Sequence, residues 1–215
     1  MSPITSITNG CPFHFSFFIG KYKLQKIHKR RTMANYATNK VIWIIGSSYI
    51  RRGEERARET IGAKVYWFGW GGLRWHGLLP FFYRSLRGRA APDVLLIHCG
   101  GNDLGCRKSI DLVAAMKQDL QHLYRRFPQM TIVLSDITQR RRWRSGLPGK
   151  IDKSRKWVNS VMATFVLGMQ GGIVHHPQIV FNKPQLFLRD EVHLSPRGND
   201  IFLNNLAEGL RVLMQ

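Results

Sequence analysis

The segment Val41-Ile42-Trp43-Ile44-Ile45-Gly46 is an unbroken apolar run, rich in β-branched residues, that ends at a glycine. A run without polar alternation is typical of a strand buried on both faces, as in a parallel sheet covered by helices. Shorter runs of the same kind follow along the chain. The pattern predicts strands at Lys64–Phe68, Asp93–His98, Met130–Leu134 and Gly172–His175.

Helical patterns separate these strands. The clearest is 109–127, where apolar residues recur at spacings of three and four. These residues are Ile110, Val113, Met116, Leu120, Leu123 and Phe127. Further helices are predicted at 49–60, 74–87, 151–168 and 196–214, the last with Ser195 as N-cap and Pro196 at its first position. This alternation predicts an α/β domain with a doubly wound parallel sheet and helices on both faces.

Polar and glycine residues follow the predicted strands, where ligands bind in such sheets. Because the carboxyl ends of parallel strands share one edge, these residues are expected to converge there. Asp190 and His193 come later, just before the last helix. The residues at strand ends are Ser47 and Ser48, Gly71 and Gly72, and Gly101 and Asn102.

Ester hydrolysis at a serine needs an exposed hydroxyl, a base and donors for the oxyanion. Ser48 follows a buried strand and opens a predicted helix, so it is a candidate nucleophile. Serine is also a preferred helix cap, and taken alone Ser48 fits that reading better. The neighbouring motifs are what favour catalysis.

His193 is the candidate base, with Asp190 three residues before it. At this spacing a carboxylate can accept the imidazole Nδ1–H and turn Nε2 towards the serine. A turn aspartate before a helix cap is the alternative. His175 and His176 form a rival pair, interpreted as strand-end structure because no carboxylate is near them in the sequence.

Asn102 and Gly72 are candidate oxyanion donors beside the Ser48 amide. Asn102 would supply a side-chain N–H and Gly72 a backbone N–H free of side-chain crowding. Asparagine after two glycines is also an ordinary turn residue.

These motifs, in this order, resemble blocks I, II, III and V of the SGNH (GDSL-type) hydrolases. The matching segments are Gly46-Ser47-Ser48, Gly69-Trp70-Gly71-Gly72, Gly100-Gly101-Asn102-Asp103 and Asp190-Glu191-Val192-His193. The resemblance spans roughly 41–214 and implies a three-layer, flavodoxin-like α/β/α fold. It implies Ser48 as nucleophile, His193 as base, Asp190 as its partner, and an oxyanion hole of Ser48, Gly72 and Asn102. It implies carboxylic ester substrates and no cofactor or metal.

One residue departs from the family pattern. The first block usually reads Gly-Asp-Ser, and Ser47 stands here in place of the aspartate. That aspartate helps to organise the loop around the nucleophile, so its loss puts full activity in question. The sequence around the motifs is also similar to that of SGNH domains of vertebrate retrotransposon-encoded proteins.

The chain is strongly basic, with 33 Lys and Arg against 13 Asp and Glu, a net charge of +20. Such a charge attracts polyanions. The densest basic run of the domain is Arg140-Arg141-Arg142-Trp143-Arg144. Arginines interleaved with an aromatic suit phosphate contact and base stacking, although a solvated loop is the simpler interpretation. The competing hypothesis to an esterase is thus a weakly active or inactive SGNH-fold module that binds nucleic acid.

Residues 1–38 are predicted to be a basic, disordered leader, and 39–215 the hydrolase-like domain. Met33 is an alternative start. No segment has the roughly 18–20 apolar residues of a transmembrane span. Three scattered cysteines favour neither a disulfide framework nor a metal site. An intracellular protein, cytoplasmic or nuclear, is expected.

Overall fold

The computed structural model of the chain describes residues 40–57 and 63–214. It contains five strands, and every neighbouring pair is parallel, in the order β2-β1-β3-β4-β5. This confirms the predicted parallel sheet. The strands are β1 (Val41–Gly46), β2 (Lys64–Gly69), β3 (Val94–His98), β4 (Thr131–Ser135) and β5 (Gly172–Val174). The predicted leader, 1–38, lies outside the described residues.

Helices cover both faces of the sheet. Alternate residues of β1 face opposite layers, so Trp43 and Ile45 pack with α2, α3 and α4, while Ile42 and Ile44 pack with α1 and α5. The three-layer α/β/α fold is therefore confirmed. The helices are α1 (Ser48–Glu54), α2 (Leu78–Leu86), α3 (Ser109–Arg126), α4 (Pro148–Gly168) and α5 (Pro196–Leu213).

The helices differ from the sequence predictions mainly at their ends. The predicted helix 74–87 divides into a 3-10 turn, Trp75–Gly77, and α2, with Pro80 in the first turn where no N–H is needed. Helix α4 begins at Pro148, before the predicted start at residue 151. Ser195 caps α5 as predicted, and its Oγ accepts the Gly198 N–H over 3.2 Å.

Ile110 was predicted to face the core and is instead 61% exposed. The buried stripe of α3 runs through Leu112, Met116 and Leu120. Ile110 precedes Leu112 by two positions, which places it about 200° around the helix. The structure thus corrects this residue while confirming the helix.

The chain runs from β1 to β2 on one side of β1, and then from β2 to β3 on its other side. In open α/β sheets, ligand crevices form at such points. β1 lies between β2 and β3, and Gly46 is level with His98. A Cβ on Gly46 would lie 2.2 Å from the His98 carbonyl oxygen, so only glycine fits. The next residue, Ser47, donates its N–H to that same oxygen over 3.2 Å. The polypeptide that carries Ser48 is therefore held against the end of β3.

Candidate active site

Ser48 is the first residue of α1 and is 93% buried, with 7% of its surface exposed. Its Oγ lies 3.1 Å from His193 Nε2, within hydrogen-bonding distance. As a first-turn residue it also has a backbone N–H without a partner in the preceding helical turn. Ser48 thus offers a hydroxyl beside a base and an amide donor at the same position.

The loop before α5 carries His193 and Asp190. It is closed by an antiparallel bridge between Phe187 and Leu194, and the Leu188 N–H donates to the His193 carbonyl over 2.8 Å. Within it, Asp190 Oδ2 lies 2.5 Å from His193 Nδ1. The structure therefore brings together all three predicted catalytic residues, Ser48, His193 and Asp190, in one chain of hydrogen bonds.

The Asp190 carboxylate is held in its charged form. Its burial raises the pKa, but hydrogen bonds from the His193 side chain and from the His193 and Val192 backbone N–H groups outweigh this and lower the pKa to about 2. The two backbone bonds are 2.9 and 3.0 Å long and end on Oδ1. Asp190 can therefore orient the imidazole and stabilise a positive charge on it.

The loops after β2 and β3 carry Gly72 and Asn102, the two other predicted site residues, and a hydrogen bond joins the two loops. Asn102 Nδ2 donates to the Leu73 carbonyl, next to Gly72, over 3.0 Å. A primary amide has two N–H donors, so this bond leaves one for a ligand. Gly72 has a φ of +74°, a conformation that favours glycine. Both residues thus occupy the same edge of the sheet as predicted.

Trp75 anchors the loop that carries Gly72. Its backbone N–H donates to Asp103 Oδ2 over 2.9 Å, and its indole N–H donates to Asp119 Oδ2 over 2.8 Å. Burial raises the pKa of the Asp103 carboxyl, while the Trp75 N–H acts in the opposite direction. The sequence showed only that Asp103 follows Asn102, and gave no sign of these contacts.

The basic segment 140–144 is divided between the interior and the surface. Arg140 and Trp143 are buried, at 6% and 8% exposed, so neither presents a face to a polyanion in solution. Arg141 pairs over 3.1 Å with Glu191, in the loop that carries Asp190 and His193. Within this segment only Arg142 and Arg144 are exposed. This corrects the picture of one continuous basic and aromatic surface, because the loop packs against the site.

Several residues around the site were not predicted from the sequence. The Tyr49 hydroxyl donates to the Val192 carbonyl over 2.6 Å, and its ring stacks on His98. Behind them lies a buried chain of polar groups. Ser135 Oγ lies 2.9 Å from His98 Nδ1 and 2.7 Å from His176 Nε2. Burial is the main reason why the pKa of both histidines is lowered. The pKa of His176 falls to about 3.

The structure places the side chains of the rival pair, His175 and His176, in different surroundings. His176 is buried in the polar chain, whereas His175 is exposed and lies 2.8 Å from Asp136 Oδ2. No carboxylate is near this pair in the sequence, but Asp136 is close to it in the structure, because β4 and β5 are neighbours and their ends meet. His175 and Asp136 belong to a different pocket, shared with Arg155 and Pro177.

A cavity of about 420 Å³ lies beside the Gly72 loop, lined by Trp70, Leu73, Pro80 and Arg84 among others. A larger cavity, of about 640 Å³, holds none of the predicted site residues. Among residues 40–57 and 63–214, no group of three or more His, Cys, Asp and Glu side chains is placed to hold a metal ion. Over the same residues, no helix is long and apolar enough to cross a bilayer.

Comparison with known proteins gives one family. The sequence profile of the GDSL-like Lipase/Acylhydrolase family matches residues 45–201. No curated protein sequence matches the chain. The match runs from the end of β1 into α5, so it contains every predicted catalytic and oxyanion residue.

Solved structures share the fold at low sequence identity. A GDSL-like lipase from Bacteroides thetaiotaomicron is 16% identical over 81% of this chain and 89% of its own, with a TM-score of 0.64. A lipolytic G-D-S-L family protein from Veillonella parvula is 13% identical over 78% and 96%, at 0.62. The psychrotrophic esterase EstA from Pseudoalteromonas, in a structure inhibited by monoethylphosphonate, is 12% identical over 81% and 98%, at 0.62.

Proposed function

Because the chain belongs to the GDSL-like lipase/acylhydrolase family, we propose that it hydrolyses a carboxylic ester with Ser48 as nucleophile. The observation that carries the proposal is the continuous contact from Ser48 Oγ to His193 Nε2, at 3.1 Å, and from His193 Nδ1 to Asp190, at 2.5 Å. A helix-capping serine would need neither partner. The hydrogen bond to a histidine that is itself oriented by a carboxylate is the arrangement that nucleophilic catalysis requires.

In this mechanism Ser48 Oγ attacks the ester carbonyl carbon while His193 Nε2 takes the hydroxyl proton. The negative charge that forms on the carbonyl oxygen is stabilised by the backbone N–H groups of Ser48 and Gly72 and by Asn102 Nδ2. The C–O bond then breaks, and His193 gives its proton to the departing alcohol. Water attacks the acyl-enzyme with His193 again as base, which releases the acid and restores Ser48.

Ser47 is proposed to reduce the rate without abolishing it. It caps α1 with an extended backbone, but its side chain makes no capping hydrogen bond. An aspartate there would place negative charge at the N-terminus of α1 and accept its free N–H groups. We expect Ser47→Asp to raise kcat several-fold. An unchanged or lower kcat in a folded variant would show that this loop does not depend on the aspartate.

The cavity beside Gly72 supports a small acyl or alcohol group as the part of the substrate held there. Its walls combine apolar Trp70 and Leu73 with the Arg84 guanidinium, which stacks 4.7 Å from the Trp70 ring centroid. Such mixed walls suit a small substrate with a polar end.

The proposal is tested by labelling with a fluorophosphonate probe, a reagent of the class that includes the inhibitor bound to the structurally similar EstA. Wild type is expected to be labelled and to hydrolyse a p-nitrophenyl ester, and Ser48→Ala is expected to do neither. Ser47→Ala is the matched control, because it removes the neighbouring hydroxyl and leaves the nucleophile. Equal labelling of wild type and Ser48→Ala would refute the assignment.

A second candidate function is binding of nucleic acid by a weakly active domain. It is supported by the net charge of +20 and by the likeness of the motif segments to retrotransposon-encoded domains. The exposed Arg142 and Arg144 are the residues of the basic segment that remain available for phosphate. Salt-sensitive RNA binding that Arg142→Ala and Arg144→Ala weaken, together with no probe labelling, would favour this candidate over the esterase.

A further inference from the structure

Arg140 is a buried arginine next to Asn102, one of the predicted oxyanion donors. Its Nη1 donates to Asn102 Oδ1 over 3.2 Å, and the residue is 6% exposed. Asn102 is thereby held at both ends of its amide, since Nδ2 donates to the Leu73 carbonyl. Of all the contacts in the described residues, these two fix the rotation of the Asn102 side chain.

The guanidinium of Arg140 is enclosed by aromatic rings and by backbone. Its Cζ lies 5.5 Å from the ring centroid of Tyr49 and 5.4 Å from that of Trp143. Nη2 rests on Gly101, where an added Cβ would come within 2.7 Å of it. The glycine before Asn102 is thus what allows the guanidinium to approach the amide.

The charge of Arg140 has no carboxylate partner within residues 40–57 and 63–214, and its Nε is buried without a hydrogen bond. Arg141, Arg155 and Arg211, by contrast, each pair with an acidic side chain. A buried unpaired cation is costly, so a purely structural role would be served better by an apolar residue. An unpaired positive charge can stabilise negative charge that forms during a reaction.

We propose that Arg140 is the positioning residue of the oxyanion hole, holding Asn102 by its carbonyl oxygen so that Nδ2 faces the oxyanion. Its charge also polarises the Asn102 amide and strengthens the N–H as a donor. This inference rests on the proposed esterase function. Arg140 acts through Asn102, so its loss affects the transition state more than the binding of substrate.

The first test measures kcat and KM of ester hydrolysis for Arg140→Met and Arg140→Lys. Loss of one oxyanion donor lowers the rate about 10²–10³-fold, and loss of its support is expected to lower kcat about 10–100-fold with KM within about twofold. Lysine keeps the charge but lacks the planar guanidinium, so it should recover only part of the rate. Arg87→Ala, at an exposed arginine just after α2, is the control and should keep the wild-type kcat.

Thermal unfolding of the same variants separates positioning from folding. Methionine fills the space between Tyr49 and Trp143 without a buried charge, so Arg140→Met is expected to keep a Tm close to that of wild type while kcat falls. For Arg140→Ala, added guanidinium ion should restore part of kcat, and an equal concentration of sodium chloride should not. A structural role alone would show the opposite pattern, with Tm lowered and kcat of the folded fraction unchanged.

The second test is a double-mutant cycle with Gly101. Gly101→Ala is expected to displace the guanidinium and to lower kcat in wild type by a factor similar to that of Arg140→Met. In the Arg140→Met background, the same substitution should have little further effect, because the contact is already lost. Additive losses would overturn the proposal.

The outcomes also separate this inference from the function on which it rests. If Ser48→Ala abolishes hydrolysis and Arg140→Met keeps the wild-type kcat, the esterase stands and the role of Arg140 is refuted. If wild type shows no hydrolysis that depends on Ser48, both are refuted. The inference is supported only if Ser48-dependent hydrolysis falls in Arg140→Met and the Gly101→Ala effect disappears with it.

Discussion

Arg141 and Glu191 join the loop after β4 to the loop that carries Asp190 and His193. The guanidinium lies 3.1 Å from Glu191 Oε1, and the backbone N–H groups of Arg141 and Arg142 both donate to the Glu191 carbonyl, also over 3.1 Å. Glu191 adopts a positive φ of 60°, so a strained residue is held between Asp190 and His193. Arg141 and Arg142, which belong to the basic run, therefore help to hold the loop of Asp190 and His193 in place.

Glu191→Gln removes the charge of this pair and keeps the shape of the side chain. The two side chains are 30% and 44% exposed, so we expect a stability loss of only about 0.2–1 kcal/mol. The kcat of ester hydrolysis should fall several-fold, because the His193 loop is held less firmly. Urea unfolding and steady-state kinetics would check this. A kcat equal to that of wild type would mean that the backbone bonds alone fix the loop.

His193→Ala and Asp190→Ala are expected to differ in severity. His193 carries the proton, so its loss should lower kcat/KM by about 10⁴-fold or more, whereas Asp190 only orients and stabilises the imidazole and should cost less. The assay is hydrolysis of a p-nitrophenyl ester. If both variants were as fast as wild type, the site assignment would be wrong.

Gly72→Val tests the conformation of the loop after β2, which carries this proposed oxyanion donor. Nothing lies within 4 Å of a Cβ built at Gly72, so the cost comes from its φ of +74° alone. We expect a loss of about 1–2 kcal/mol of stability and a clear fall in kcat, with Gly72→Asn milder on both counts.

Gly88 is the matched control for Gly72. It has a φ of +70° and the same open space, but it lies in the turn after α2. Gly88→Val should reduce stability by a similar amount and leave kcat unchanged. Equal effects of the two substitutions on kcat would show that the Gly72 loop has no special part in catalysis.

The buried histidines predict sensitivity to acid. Burial, with a smaller effect of His175, lowers the pKa of His176 to about 3, and His98 is lowered for the same main reason. An unfolded histidine binds its proton near pH 6.5. Between these two values the unfolded state is therefore more protonated, and stability is lost as the pH falls. For His176 alone the loss from pH 7 to pH 5 should be about 2 kcal/mol.

Urea unfolding at pH 7 and pH 5 measures this loss. His176→Asn should be less stable than wild type at pH 7 but show a smaller decrease between the two pH values. His76→Asn changes an exposed histidine and should preserve the wild-type decrease. An identical decrease in wild type and His176→Asn would contradict a neutral buried ring.

The sequence predicted what depends on local pattern. Continuous apolar runs identified β1 and β3, polar residues at strand ends indicated Ser48 and Asn102, and the spacing from Asp190 indicated His193. These features follow from burial on two faces and from the shared edge of parallel strands. Ser48 alone resembled a helix cap, and only its partners made it a candidate nucleophile.

Contacts between distant loops could not be predicted in this way. Arg140 was read with its neighbours as one charged run, since composition does not show which side chain turns inward. The contacts among Tyr49, His98 and Ser135 likewise exist only because β1, β3 and β4 are neighbours in the sheet. A side chain's burial and partners depend on which strands are adjacent, and spacing along the chain does not contain that information.

The hydrogen bond between Ser48 and His193 joins residues 145 positions apart. During synthesis, Ser48 leaves the ribosome long before His193. A nascent chain that has formed β1 to β5 still lacks the loop that carries Asp190 and His193, and it lacks α5, which covers Ile42 and Ile44. Esterase activity would thus arise only after α5 has left the ribosome, and hydrolysis by ribosome-bound chains of increasing length would report when the last layer closes.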